Sequence, residues 1–352
     1  MTTPSSTLRL SVLDQSPVPQ GRTPREALLH TLDLARLADR LGYTRFWVSE
    51  HHNTRTLAGS APEVLLARLG AETTRIRLGS GGVMLPHYSA LKVAESFRVL
   101  ETLYPGRIDL GIGRAPGTDR ITAHALNPHN TFRDEDFAEQ LMDLRAFLRD
   151  EVVEDTIHMK VKAAPFTNTR PEVWLLSSSG QSGLFAAQLG AAFSFAHFIN
   201  PHGGPAMMEL YQERFRPSAE LATPQGNVAV FVLCADTEAH AQRLADNLAL
   251  QMLKLETGNF TPIGPEDALH LDQLPAEHRA RLPYHYQRMV YGTPAQVKQQ
   301  IEELAARYQV NEVCAVTITY SFEDRLRSYE LLAEAFALPQ HVGTAPQVAQ
   351  VA

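Results

Sequence analysis

The sequence predicts an α/β fold, a single (β/α)8 TIM barrel, on three observations. Short β-branched or apolar runs alternate with longer stretches of helical period, the pattern of βαβ units. Eight such runs occur in the 352 residues, each followed by a helical segment, and eight parallel units close into a barrel more readily than they form an open sheet. A chain this long would suggest two domains by length alone, but barrels fill that range as one.

In order, the strand candidates are Leu8–Leu13, Thr44–Val48, Ile76–Val83, Arg107–Ile112, Glu172–Ser177, Ala191–Ala196, Val228–Cys234 and Glu312–Thr319. The first helix carries its own signals, because Thr23-Pro24 sets a capping hydroxyl before a first-turn proline and Gly42 ends it. Pro62, Pro105 and Pro294 mark further boundaries, and Thr73-Thr74-Arg75 makes a short link from helix to strand. Ile157, Met159 and Val161 alternate, which predicts a small strand or hairpin ahead of the fifth barrel strand. Residues 256–291 combine prolines, glycines and weak periodicity, and are read as a long insertion after the seventh unit, a mobile lid. The barrel domain is assigned to residues 1–340 and a disordered tail to 341–352.

A formal net charge of −7 gives no reason to expect nucleic acid or an anionic membrane as partner. Apolar residues form 44% of the chain, enough for a sizeable core. The two cysteines, Cys234 and Cys314, lie far apart in apolar runs and read as core residues. No signal peptide or membrane-length apolar run is apparent, so a cytoplasmic enzyme is expected.

In a barrel, residues just past the C-terminal end of each strand face a shared pocket. After the second strand come Glu50, His51 and His52, which could supply a general base, a hydrogen-bond donor or metal ligands, or could simply pack against the loop. Neighbouring strand residues point to opposite sides, so a joint metal site is not expected. The third strand holds Ser80, Gly81 and Gly82. Missing side chains there fit either a planar ring lying on the backbone or a bulge at the rim. The fourth ends in Gly111-Ile112-Gly113-Arg114-Ala115-Pro116-Gly117, a near miss for a dinucleotide fingerprint in which Pro116 stands where a third small residue belongs. Arg114 suits an anion that its guanidinium can grip in bidentate fashion. The fifth delivers Ser177, Ser178, Ser179, Gly180, Gln181, Ser182 and Gly183 into a helix N-terminus, where free N–H groups and the helix dipole favour a phosphate. Plain N-capping needs only one hydroxyl. Arg114 and Ser178–Ser182 come from neighbouring strands and could hold one phosphate between them. His197, with Phe198, Asn200 and Pro201 past the sixth strand, and Asp14 and Gln15 past the first, either line the pocket or are structural.

These strand ends resemble the bacterial luciferase-like, flavin-dependent monooxygenase family. The likeness runs through LDQSP, FWVSEHHN, RLGSGGVMLPHYSALKVAE, LYPGRIDLGIGRAPG, WLLSSSGQSGLFAAQLG and YGTPAQVKQQIEELAARY, in the family's order over most of residues 8–335. The resemblance implies a barrel that binds reduced FMN, often as a homodimer, with a separate flavin reductase supplying electrons and O2 oxygenating a small organic substrate. It makes His51 the catalytic histidine beside Glu50, Arg114 the phosphate-binding arginine, and Ser179 and Ser182 phosphate-contacting hydroxyls. It also places a non-prolyl cis peptide within Ser80–Gly82. Two positions depart from the luciferases themselves. Gly113 stands where they carry a reactive cysteine, and Ser178 where they carry an acidic residue, which argues against light emission. Alternatives on the same fold are a non-catalytic flavin-binding protein and an enzyme transferring hydride with the deazaflavin F420. A metal hydrolase using His51, His52 and His197 is disfavoured.

Overall fold

The computed structural model describes residues 8–341 except 116, 130–132, 155 and 267–268. The expected tail, beyond His341, lies outside the described residues, and so does Pro116. Nine parallel strands form one sheet: β1 (Arg9–Asp14), β2 (Arg45–Val48), β3 (Arg77–Met84), β4 (Ile108–Gly113), β5 (Glu172–Ser177), β6 (Ala192–Ala196), β7 (Gly226–Cys234), β8 (Met289–Gly292) and β9 (Glu312–Val316). Strands β1 to β7 pair in sequence, β7 pairs with β9, and β9 returns to β1, closing an eight-stranded barrel. The ninth strand, β8, is an addition. Its Met289–Gly292 pairs with Phe231–Cys234, the second half of β7, whereas β6 pairs with Gly226–Ala229 in the first half.

The helices are α1 (Pro24–Leu41), α2 (Pro62–Glu72), α3 (Ala90–Leu103), α4 (Arg120–Leu126), α5 (Asp134–Arg149), α6 (Gln181–Leu189), α7 (Gly204–Arg214), α8 (Glu238–Glu256), α9 (Ala276–Arg279), α10 (Leu282–Tyr286), α11 (Pro294–Tyr308) and α12 (Phe322–Ala335). A reciprocal capping box joins Thr23 and Glu26 at the start of α1, and Gly42 ends that helix at φ 85°. A Cβ there would also lie 2.4 Å from the Pro339 carbonyl oxygen.

The expected strand around Ile157–Val161 is instead a 3-10 turn, Ile157–Met159, capped by the Thr156 hydroxyl. A three-residue alternation is too short to separate these conformations. Residues 256–291 are also less open than a lid: they contain α9, α10 and the β8 strand, and Ile263, Leu282 and Met289 are buried in the core cluster that includes α8.

The barrel interior is layered by charge. Near the N-terminal ends of the strands the Arg45 guanidinium donates to Asp109 at 2.8 Å and Glu312 at 3.0 Å, all three groups being almost fully buried. Arg77 and the Trp47 indole also donate to Asp109, and Ser11 to Glu312. Burial would depress Arg45, but the surrounding Asp109, Glu312 and Glu172 carboxylates reverse this and raise it. Above this plug Trp47 and Trp174 meet edge to face at 5.1 Å. The floor is thus solid, and inside the barrel ligand space is left toward the C-terminal strand ends.

Candidate active site

A cleft opens at the C-terminal ends of the strands. Leu13, Trp47, Met84, Leu176, Phe198 and Ile199 give it an apolar wall. Gly81, Gly82, Arg114, Ser178, Ser179 and Ser182 line the same space, so the structure gathers six of the residues singled out from sequence into one site.

The polar end is built by β4, β5 and α6. Helix α6 starts after Gly180 with no side-chain cap on its first N–H groups, and its backbone donors point toward the cleft end that Ser182 lines. The Ser177 hydroxyl donates to the Ser179 carbonyl and accepts from the Ser179 N–H, which folds the serine run into a tight turn. Asn200 fastens that turn by donating to the Ser178 carbonyl at 3.0 Å. Arg114 pairs with Asp134 at the start of α5 and donates to Gln181 Oε1 at 2.7 Å, while Gln181 donates in turn to Asp134. An uncapped helix N-terminus, three serines and a guanidinium fit a phosphate. The Asp134 carboxylate already occupies one face of that guanidinium.

The opposite wall is the Gly81–Gly82 segment, whose peptide bond is cis, where the resemblance places such a bond. The pairing of β3 with β4 shifts register between Ser80 and Val83, so a bulge is present. The protein's own packing also demands the glycines. A Cβ on Gly82 would sit 2.8 Å from the Gly111 carbonyl oxygen, and one on Gly111 would sit 2.0 Å from that of Ser80. The bulge expected from the sequence is therefore present, and the segment presents bare backbone to the cleft. Ser80 itself does not line it; its buried hydroxyl donates to the Gly111 carbonyl at 2.8 Å. Gly113 is less constrained, since a Cβ there would meet only the movable Met84 thioether, its sulfur at 2.9 Å.

The Glu50-His51-His52 segment lies beside the cleft and contributes nothing to the lining described above. Glu50 is fully buried, accepting from the Met84 N–H at 3.0 Å, the Tyr88 hydroxyl at 2.8 Å and His52 Nε2 at 2.8 Å. With three partners it acts as a clamp that fixes the end of β3. His51 Nδ1 shares a hydrogen bond with the Ser49 hydroxyl. Burial, reinforced by the neighbouring His52, holds the His51 imidazole down to about 4. It is neutral near pH 7 and can donate or accept a hydrogen bond there.

His197 does not reach the cleft. Its two ring nitrogens bond to the Tyr308 hydroxyl and the Gln287 carbonyl, both at 2.9 Å, and burial holds it at about 4. The next residue, Phe198, points the other way and lines the site. Gln15 is buried and outside the lining, and Gly180 serves as the α6 N-cap. No group of three or more His, Cys, Asp or Glu side chains among the described residues could hold a metal ion. Sequence reading passed over Leu13, Trp47 and Leu176, although strand alternation marks them as inward-facing. Asp134 and Gln181, the partners of Arg114, carried no comparable signal.

Comparison with known proteins places this geometry among relatives. Residues 8–310 match the family described as luciferase-like monooxygenase. The uncharacterized protein YwcH of Bacillus subtilis is 49% identical over 93% of this chain and 99% of its own. A luciferase-like monooxygenase of Escherichia coli K12 is 37% identical over 92% and 96%. The crystal structure of apo-MsnO8 superposes with a TM-score of 0.88 at 40% identity, covering 95% of this chain and all of the other.

Proposed function

The chain belongs to the luciferase-like monooxygenase family, and from that premise we propose that it is an FMN-dependent monooxygenase acting on a small organic substrate. The observation that carries the reading is the polarity of the cleft. At one end stand Arg114, Ser178, Ser179, Ser182 and the uncapped α6 N-terminus; the wall is the bare Gly81–Gly82 backbone; apart from Ser177 and Ser194 the rest is apolar. That order matches the phosphate, ring and reaction space of a flavin nucleotide.

Bound reduced flavin would supply the two electrons that let one oxygen atom of O2 enter the substrate while the other leaves as water. The chain's own residues do the rest. Arg114 and the three serines would hold the phosphate, and Gly81 and Gly82 would let the ring approach the strand backbone. Leu13, Trp47, Met84, Leu176, Phe198 and Ile199 would keep water from the reacting atoms. Neutral His51, held by Ser49 beside the cleft, would hydrogen-bond a polar group of a ligand that extends past the lining.

On this reading a separate reductase delivers the reduced flavin. On the same reading the chain assembles as a homodimer. Single-turnover mixing with anaerobically reduced FMN and O2, scored for an oxygenated product by mass spectrometry, tests the reaction. Turnover with reduced F420 and none with reduced FMN would move the protein to the hydride-transfer class.

A further inference from the structure

A second, larger cavity of ≈ 480 Å³ lies at the other end of the barrel, between α5, α6 and the outer face of β4 and β5. Its apolar surface comes from Ile112, Leu141, Leu144, Val173, Leu175 and Leu189. It shares no lining residue with the catalytic cleft. Leu175 and Leu176, neighbours on β5, face the two spaces from opposite sides of the sheet. Phe137 in the first turn of α5 and Phe185 midway along α6 bring the two helices together, with ring centroids 6.2 Å apart. Toward the C-termini of the two helices the gap between them stays open.

The rim is rich in cations. Arg77 is paired with Asp109, and both Arg149 and Arg170 are paired with Glu220. Arg145 is different. It falls four residues after Leu141 and one after Leu144, on the helix face that supplies the apolar wall. It is only partly exposed. Its Nε is buried without a hydrogen-bond partner, and no carboxylate among the described residues pairs with it. An unpaired guanidinium on the wall of an apolar cavity has one natural complement, a carboxylate carried on an apolar tail.

We propose that this cavity is a binding site for a small amphipathic carboxylate, its tail against Leu144, Leu175 and Leu189 and its head on Arg145. The volume is within the usual span of small-molecule sites. The ligand's carboxylate would be to Arg145 what Glu220 is to Arg149 and Arg170.

Octanoate titrated into the full chain by calorimetry is the test, with octanol and acetate as tail-only and head-only probes. The expected result is saturable octanoate binding with a Kd of about 1 mM or tighter, and octanol and acetate each weaker by about tenfold or more. Arg145→Met should weaken octanoate by about tenfold while Arg145→Lys keeps it within about threefold. Arg114→Met, in the other cleft, should leave it unchanged. No saturation by about 10 mM would overturn the proposal. So would binding that survives Arg145→Met, or that is lost with Arg114→Met. Unchanged thermal unfolding of Arg145→Met separates loss of the site from loss of the fold.

Discussion

Arg114 and Asp134 form an ion pair across the polar end of the cleft, joining the tip of β4 to the first turn of α5, with Gln181 of α6 hydrogen-bonded to both. The fourth and fifth barrel units are thereby latched over the place where a phosphate would be held. On the proposed reading Asp134 would compete with that phosphate for the same guanidinium. Asp134→Asn should therefore tighten FMN by about two- to fivefold, the range of a partly exposed ion pair, and leave riboflavin unaffected. Fluorescence quenching of the two flavins measures both. Weaker FMN binding in the variant would mean that Asp134 orients Arg114 and does not compete.

The β3–β4 contact should tolerate no side chain. Gly111→Ala would drive a methyl into the Ser80 carbonyl, and because the obstacle is backbone in the middle of a barrel, neither partner can yield. Stability should fall by roughly 3 kcal/mol or more, read from denaturant unfolding. A loss below about 1 kcal/mol would show that the two strands slide apart more readily than the structure implies.

The buried plug beneath the cleft makes another sharp case. Arg45→Met removes the buried cation shared by Asp109 and Glu312, leaving Arg77 on the first and the more exposed Arg9 on the second. The cost should be about 3–5 kcal/mol near neutral pH, read from denaturant unfolding. A cost below about 1 kcal/mol would show that Arg77 and Arg9 suffice to hold the two carboxylates.

His197 connects pH to stability. Its folded value near 4 lies below the ordinary 6.5, so between those limits the unfolded chain binds a proton that the native state does not. Its contribution is therefore complete above pH 6.5 and declines as the pH falls toward 4. His197→Gln should flatten the stability–pH slope in that window by up to about 1.4 kcal/mol per pH unit. Parallel slopes for the two proteins would place the His197 pKa near its ordinary value.

Much of this architecture was legible because strands and caps are local signals. All eight barrel strands fall within two residues of their expected starts, and Thr23-Pro24 and Gly42 bound α1 as read. The errors have one origin, the absence of tertiary context. Met289–Gly292 is a strand of four residues that exists only because β7 runs beyond β6 and offers it an edge. The Ile157–Val161 alternation had no neighbouring strand to pair with and became a turn. In the site, residue type marked Arg114 and the serine run, while geometry separated neighbours that sequence could not. His197 turns to Tyr308 and Phe198 to the cleft, and Ser80 turns to Gly111 where Gly81 and Gly82 line the site. Asp134 lies twenty residues beyond Arg114 on another element, and no local pattern announces such a partner.

The most direct test of the central claim is anaerobic binding of reduced FMN to wild type and Arg114→Ala, with reduced riboflavin as the phosphate-free control. The account predicts saturable FMN binding that weakens by about 10- to 100-fold in the variant, and riboflavin binding that is the same in both. FMN binding indifferent to Arg114, or no flavin binding at all, would contradict it.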